Sequence, residues 1–403
     1  MQLCPQQEPP DYRTTIHNTV FLDDTSLRHY SRLKGLGKGL GRYRERGRSG
    51  AEAAVSNIVR QRSAYGRLRS TASGYLDLAG CRLSPQLVRL VEEFRPSVIY
   101  TAGSSIRVLG VVDRLARALG IPVVLHLMDD WPRTAYRSSI LSMLPRLALL
   151  RALRRVNKVT CSNFAISEPL CAKYQKKYHR EYRPLMNPAT RIAEGLTTED
   201  GQPVEFLYAG SITLGRQDSL RIIAQAVLGA KGAQEAACMS MYIPDPQKTE
   251  EVVTEFSSLG CEVHGYLPSE ELRDRLVHAG VLVHVESFEP GFAEFAALSL
   301  STKIPEYMGA GKPILAFLPA TQYGSTYIEE HGCGVVVTEA VQVSEAVARL
   351  IDDAPLREML ARRGLKVAAS EHAMDIVRQR LTETLQAASA ARATAGGGPV
   401  VVP

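Results

Sequence analysis

A chain of 403 residues, 45% hydrophobic and 22% charged with a formal charge of +6, exceeds what one hydrophobic core usually organises, so two domains are expected. No run reaches the roughly 18 apolar residues of a membrane-spanning helix, and residues 1–25 lack the basic start and apolar stretch of an export signal. The seven cysteines (Cys4, Cys81, Cys161, Cys171, Cys238, Cys261 and Cys333) are scattered and form no metal-ligand spacing with one another or with histidines. This fits reduced thiols rather than a disulfide framework or a zinc site. The net charge conceals an asymmetry. Residues 1–190 hold 31 Lys and Arg against 14 Asp and Glu, and the remainder 17 against 28. A basic first half suits an anionic membrane surface, with a merely solvated face as the alternative; nucleic acid is not expected.

In chain order, residues 1–95 are basic and poorly patterned, with a short strand suggested at Val20, Phe21 and Leu22. The glycine-rich run at 35–41 lacks the preceding strand and following helix that a dinucleotide fingerprint needs, and reads as a mobile basic loop. From residue 84 the pattern alternates regularly. It predicts a helix over 85–94, a strand over 97–101, a helix over 105–119, a strand over 122–127, an Arg- and Leu-rich helix over 144–155, a strand over 158–162 and a helix from about Ser167. Residues 188–203 lose periodicity and read as a linker between a first domain, 1–187, and a second, 204–386.

The second domain restarts the alternation. Strands are predicted over 205–208, 237–243, 262–264, 281–285, 313–317 and 334–337, with helices over 219–229, 249–259, 269–279, 303–309 and 322–331 and further helices to 386. Residues 387–403 have no periodicity and read as a disordered tail. Such alternation gives an α/β protein with two doubly wound, Rossmann-like parallel sheets.

In such sheets ligands bind beyond the carboxyl ends of strands, where helix N-termini face anions. The loop after the first strand of the second domain holds Gly210, which admits close approach of backbone, Ser211, and Arg216, whose guanidinium suits phosphate oxygens. A tight turn with a surface arginine is the plain alternative. In a second loop, over 286–301, Ser301 or Thr302 can cap the next helix, Pro305 favouring Thr302. Glu306 is not consumed by a capping box, so it can accept hydroxyl hydrogens of a ribose while Lys303 faces a pyrophosphate.

Residues 301–313 (STKIPEYMGAGKP), followed by Ile314, Leu315 and Ala316, resemble the donor-binding signature of retaining GT-B glycosyltransferases, the glycosyl transferase group 1 family, in its Ser-Thr-Lys variant. The resemblance implies two Rossmann-like domains facing each other across a cleft, a nucleoside-diphosphate sugar as donor, no cofactor and no obligatory metal. It makes 208–216 the first donor-phosphate loop, Gly265, Tyr266 and Leu267 the base-contacting turn, and Asn187 with Pro188 the hinge. Leu298 stands where many members carry a second Glu, so Glu286 or Glu289 is the candidate substitute, with the backbone amides over 299–302 as the alternative. In the first domain, His126 ends a strand where family members often have a histidine facing the donor sugar, and Asp129 or Asp130 would orient the acceptor. A satisfied strand-end histidine is the other reading. No opening strand with a Gly-Gly turn is visible over 1–30, which predicts an incomplete first domain and puts activity in question.

The expectation is therefore a cytoplasmic enzyme, peripheral at the inner face of the membrane, that moves a sugar with retained configuration onto a hydroxyl of a saccharide or lipid-linked acceptor in polysaccharide or glycolipid assembly. The segment over 141–155, with Arg146, Arg151, Arg154 and Arg155, is either a membrane-facing amphipathic helix or a core helix. The rivals are a nucleotide-sugar epimerase on the same scaffold and a non-catalytic nucleotide-binding homologue.

Overall fold

The computed structural model describes residues 2–4, 19–21, 64–78, 83, 85–137, 140–196, 203–230 and 236–394. The glycine-rich run at 35–41 and the end of the chain from residue 395 lie outside them. The chain divides into two compact units, Met1–Pro184 with Leu381–Pro403, and Leu185–Arg380. Among the described residues no helix is long and apolar enough to cross a membrane.

The first unit opens on a short strand after all. β1 (Gln2–Cys4) pairs in parallel with β2 (Thr19–Phe21), as a two-stranded sheet of its own. Three residues are too few to show an alternating pattern, which is why the sequence gives no sign of the first. Helices α1 (Ala64–Leu78) and α2 (Pro85–Phe94) follow. Then come β3 (Ile99–Thr101), α3 (Ile106–Leu119), β4 (Val123–Leu127), the single turn α4 (Trp131–Thr134), α5 (Met143–Val159), β5 (Thr160–Ala165), α6 (Glu168–Tyr178) and β6 (Arg183–Pro184). The four strands β3-β4-β5-β6 form one parallel sheet in sequential order. Every residue of β4 is buried, the mark of a strand covered on both faces. Helix α3 starts where Ser105 Oγ accepts from the Val108 amide and stops where Gly120 takes the left-handed conformation at φ 60°.

The second unit contains β7 (Val204–Ala209), α7 (Arg216–Ala230), β8 (Ala237–Tyr242), α8 (Glu250–Ser258), β9 (Cys261–His264), α9 (Ser269–His278), β10 (Val281–Val285), α10 (Pro290–Ala296) and α11 (Lys303–Gly309). It continues with β11 (Ile314–Phe317), α12 (Tyr323–His331), β12 (Gly334–Val337), α13 (Val343–Asp352) and α14 (Ala354–Val367). Its six strands are all parallel, in the order β12-β11-β10-β7-β8-β9. Counted from β7 this is the doubly wound order 3-2-1-4-5-6, whose direction of winding reverses between β7 and β10. One contiguous core, including Phe206, Tyr208, Ile223, Met241, Phe256, Val283, Leu315 and Val347, lies between sheet and helices.

Three further expectations change. Part of the presumed linker belongs to the second unit, because the Ala189 amide donates to the His372 carbonyl and the Ala193 amide to the Gly309 carbonyl, both at 2.8 Å. The tail is helical as far as Thr394 in α15 (Met374–Thr394). Its alanines are strong helix formers even without an apolar stripe. Arg392 fixes its end by donating to the carbonyls of Leu119, at 3.0 Å, and Pro96. Finally, the loop read as irregular over 286–301 contains α10, whose Phe292 is buried.

In β12, a Cβ on Gly334 would collide with the Ile314 carbonyl oxygen of β11 and with the Ile328 side chain. Gly334→Ala is therefore expected to lower unfolding free energy by about 1–3 kcal/mol, measured by urea denaturation.

Candidate functional site

The reversal point of the second sheet places two loops side by side, one leaving β7 and one leaving β10. Tyr208 and Ala209 end β7, and the chain turns through Gly210 at φ 144°. The Gly210 amide is taken by the Tyr242 carbonyl at 2.9 Å, so this glycine contributes space rather than a donor. The space is filled by Lys303: a Cβ on Gly210 would overlap Nζ and Cε of that side chain. Lys303 reaches back from the start of α11, its Nζ 3.2 Å from the Tyr208 hydroxyl and 4.4 Å from the centre of the Tyr208 ring.

Beside it, Arg216 and Glu286 form a bidentate pair. Arg216 Nε donates to Oε2 at 3.1 Å, and Nη2 to Oε1 at 2.8 Å and Oε2 at 2.9 Å. Glu286 follows β10 and is 7% exposed. Burial is the largest single influence and would raise its pKa, but Arg216, with His284 and Lys303 adding, holds the carboxyl below its usual range. The pair spends both oxygens of Glu286, which therefore orients Arg216 rather than standing free for a ligand; Nη1 makes none of these bonds. Lys303, by contrast, is pushed down to about 7, first by burial and then by Arg216, with Glu286 opposing. His284, two residues before Glu286, is held neutral by burial, its pKa lowered to about 4, and its Nδ1 has no hydrogen-bond partner among the described residues.

The loop itself is tightly fixed. Tyr208 donates to the Ser211 carbonyl at 2.6 Å, and Ser211 Oγ pairs with Thr213 Oγ1 at 2.6 Å. Gln247 Oε1 accepts from the Ile212 amide at 2.8 Å and from Ser211 Oγ at 3.1 Å. Leu214 and Gly215 are both left-handed, at φ 65° and 74°, and the Ser219 hydroxyl of α7 donates to the Glu286 carbonyl at 2.8 Å. The neighbouring turn of Gly265, Tyr266 and Leu267 is held by Asp245, which accepts from the Tyr266 amide at 2.9 Å. The Tyr266 side chain is 67% exposed.

At α11, Thr302 does stand at the helix start but makes no side-chain cap bond. Among the described residues the amides of Leu300, Ser301 and Thr302 find no acceptor, whereas that of Ser299 is taken by Ala296. Glu306 is partly committed: its Oε1 accepts from the Thr190 amide at 3.0 Å and from the Thr190 hydroxyl. Glu289 caps α10 through its backbone position, its amide donating to Ser287 Oγ at 3.1 Å.

The three first-unit candidates differ in environment. His126 is interior, 3% exposed, with Nδ1 2.6 Å from the Tyr100 hydroxyl and its ring edge-on to Phe164. Asp130 is 2% exposed and accepts from Tyr174 at 2.7 Å and from Lys173, so it anchors α6. Asp129 is half-buried, accepts from the Trp131 amide at 2.7 Å, and is pushed up to about 6 by burial, the amide opposing and Asp130 adding. The structure thus brings Gly210, Ser211, Arg216, Glu286 and Lys303 together, and separates Asp129 in kind from His126 and Asp130. Asp245, Gln247 and His284 escaped sequence reading, and Tyr208 was read only as the first residue of the phosphate loop, because each is an ordinary strand or turn residue until the β7 and β10 loops are set side by side.

Residues 27–169 match the family model of the glycosyl transferase 4-like domain. No curated protein sequence matches the chain. Solved structures share its fold at low identity. HepE from Anabaena, in complex with UDP, is 16% identical over 75% of this chain and 82% of that one, with a TM-score of 0.57. Sucrose-phosphate synthase from Thermosynechococcus elongatus is 14% identical over 76% and 78%, with a TM-score of 0.55. The α,α-trehalose 6-phosphate synthase of Burkholderia multivorans is 10% identical over 84% and 78%, also at 0.55. The fold is the GT-B fold, and the chain is glycosyltransferase-like.

Lys303 titrates near 10.5 when unfolded and near 7 when folded, so across that window the folded chain holds fewer protons. Stability should accordingly rise with pH from about 7 towards 10.5 and fall as Lys303 is forced to protonate. Urea denaturation across this range checks it. Lys303→Met should flatten the profile.

Proposed function

We propose that the protein transfers a sugar from a nucleoside-diphosphate sugar to a hydroxyl acceptor, with retention of configuration. The observation that carries this reading is the cationic corner at the sheet reversal, where Lys303 fills the space left by Gly210 and Arg216 is aimed by a buried carboxylate. A diphosphate brings the negative charge this corner is short of. Its arrival restores the proton on Lys303, and Lys303 together with Arg216 Nη1 then stabilises the departing diphosphate, the main demand in such a transfer. The unpaired amides of Leu300, Ser301 and Thr302 supply further donors to phosphate or sugar oxygens.

Oε2 of Glu306 has no partner among the described residues and is the acceptor for a ribose hydroxyl, with Thr190 holding Oε1. The turn of Gly265, Tyr266 and Leu267, braced by Asp245, takes the base. In the first unit Asp129 is the acceptor-side residue: a carboxyl titrating near 6 can take up the acceptor hydroxyl's proton near neutral pH. His126 contributes position through Tyr100. The likeness to a structure holding UDP supports a nucleotide donor, and the acceptor in this reading is a saccharide or lipid-linked hydroxyl.

A thermal-shift screen of UDP-, GDP- and ADP-sugars should find at least one that stabilises the chain. Lys303→Ala should weaken that donor by about ten- to a hundredfold, the worth of a charge-assisted hydrogen bond. Calorimetry in buffers of different ionisation enthalpy should show proton uptake on donor binding near pH 8. No stabilisation by any donor would sink the reading. Epimerised donor released without acceptor would replace it with the epimerase, and binding without any turnover with a non-catalytic homologue.

A further inference from the structure

The turn Ile140–Ser142 and the first two turns of α5 expose five large apolar side chains. Ile140 is 89% exposed, Leu141 66%, Met143 59%, Leu144 56% and Leu147 42%. Their backbone is firmly held. The Tyr75 hydroxyl donates to the Leu141 carbonyl at 2.9 Å, and the buried Ser142 hydroxyl meets Thr71 Oγ1 at 3.0 Å. Arg146 donates to the Ala135 carbonyl at 3.1 Å and to that of Pro132. The opposite face of α5 is used in the core through Leu149, Ala152, Leu153 and Val156. The apolar exposure is thus a fixed surface.

Along the same outward stripe, at helical spacing, the apolar residues give way to Arg151, Arg154, Arg155 and Lys158, all exposed. The stripe from Leu144 to Lys158 runs about 21 Å. Arg155 lies 3.7 Å from Asp113 of α3, while Arg151 and Arg154 make no ion pair among the described residues. From residue 131 to residue 167 the chain carries seven Lys and Arg and no Asp or Glu.

We propose that this stripe docks the first unit on an anionic lipid surface. The leading apolar side chains enter the boundary between head groups and acyl chains, and Arg151, Arg154 and Lys158 meet lipid phosphates. Charge decides between this occupant and a second copy of the chain. A two-fold contact through the stripe would set these cations against a copy of the same stripe, which holds no carboxylate to meet them. An anionic bilayer satisfies both halves of the stripe at once. Docking stands on these residues alone. Joined to the proposed transfer, it makes the acceptor a lipid-borne hydroxyl, because Arg146 ties the docking helix to the helical turn α4 that directly follows Asp129 and Asp130.

Co-sedimentation of the full chain with vesicles of phosphatidylcholine, alone or mixed with phosphatidylglycerol, tests it. Binding should favour the anionic vesicles and weaken as salt is raised. Leu141→Asp with Leu144→Asp should reduce it about tenfold or more, and Arg151→Glu with Arg154→Glu about as much. All four positions are exposed, and urea denaturation should find both variants as stable as the parent, with donor-induced thermal shifts unchanged. Absence of binding by the parent overturns the proposal, as does equal binding to neutral vesicles or full binding by the leucine variant. So does a parent dimer that the leucine variant splits into monomers, which would assign the stripe to a second copy.

Discussion

The second unit depends on the ion pair between Arg216 and Glu286. A carboxylate 7% exposed at the end of a central strand is tolerable only where a cation and several hydrogen-bond donors meet it, and breaking such a pair typically costs about 3–5 kcal/mol. Arg216 supplies three hydrogen bonds to it. The Ser219 hydroxyl, one helical turn along, secures the adjoining backbone. The pair therefore fixes the loop leaving β7 to the loop leaving β10 and determines which guanidinium nitrogen stays available. Lys303 then sits buried beside Arg216, which adds to burial in lowering its titration while Glu286 opposes both.

The same logic, desolvation weighed against a partner, sorts the first unit's acids. Asp130 is enclosed but meets Lys173 and Tyr174, and its charge is consumed in holding α6. Asp129, with only a backbone amide against it, is left with a raised pKa and part of its surface. Adjacent identical residues thereby acquire different chemistry. The interior His126, bonded to Tyr100, fits the satisfied strand-end reading that its sequence position left open.

How much was legible follows from the length of each signal. The helix over 303–309 and the strands over 281–285 and 334–337 were readable to the residue, because apolar runs bounded by Gly, Pro or a cap leave little choice. The alternation also gave the doubly wound class. Strand order was beyond it: that β7 lies against β10 depends on contacts far apart in sequence, and with that juxtaposition comes the pairing of Arg216 with Glu286. Read singly, Glu286 was a loop acid offered to a sugar. Paired, it is a brace. Glu306 was seen as a free carboxylate because the link to Thr190 crosses a segment that reads as structureless. The exposed apolar stripe of α5 was only half visible, since an Arg- and Leu-rich helix has the same composition whether its leucines face the core or the solvent.

Gly210 and Lys303 occupy one volume between them. The glycine's missing side chain is the lysine's berth, so the two positions form a single steric unit although they lie in different loops. In evolutionary terms they should behave epistatically: a larger residue at 210 becomes admissible only when the side chain at 303 shortens, and a lysine at 303 confines 210 to glycine. Divergent descendants of this chain should then change the two together or keep both.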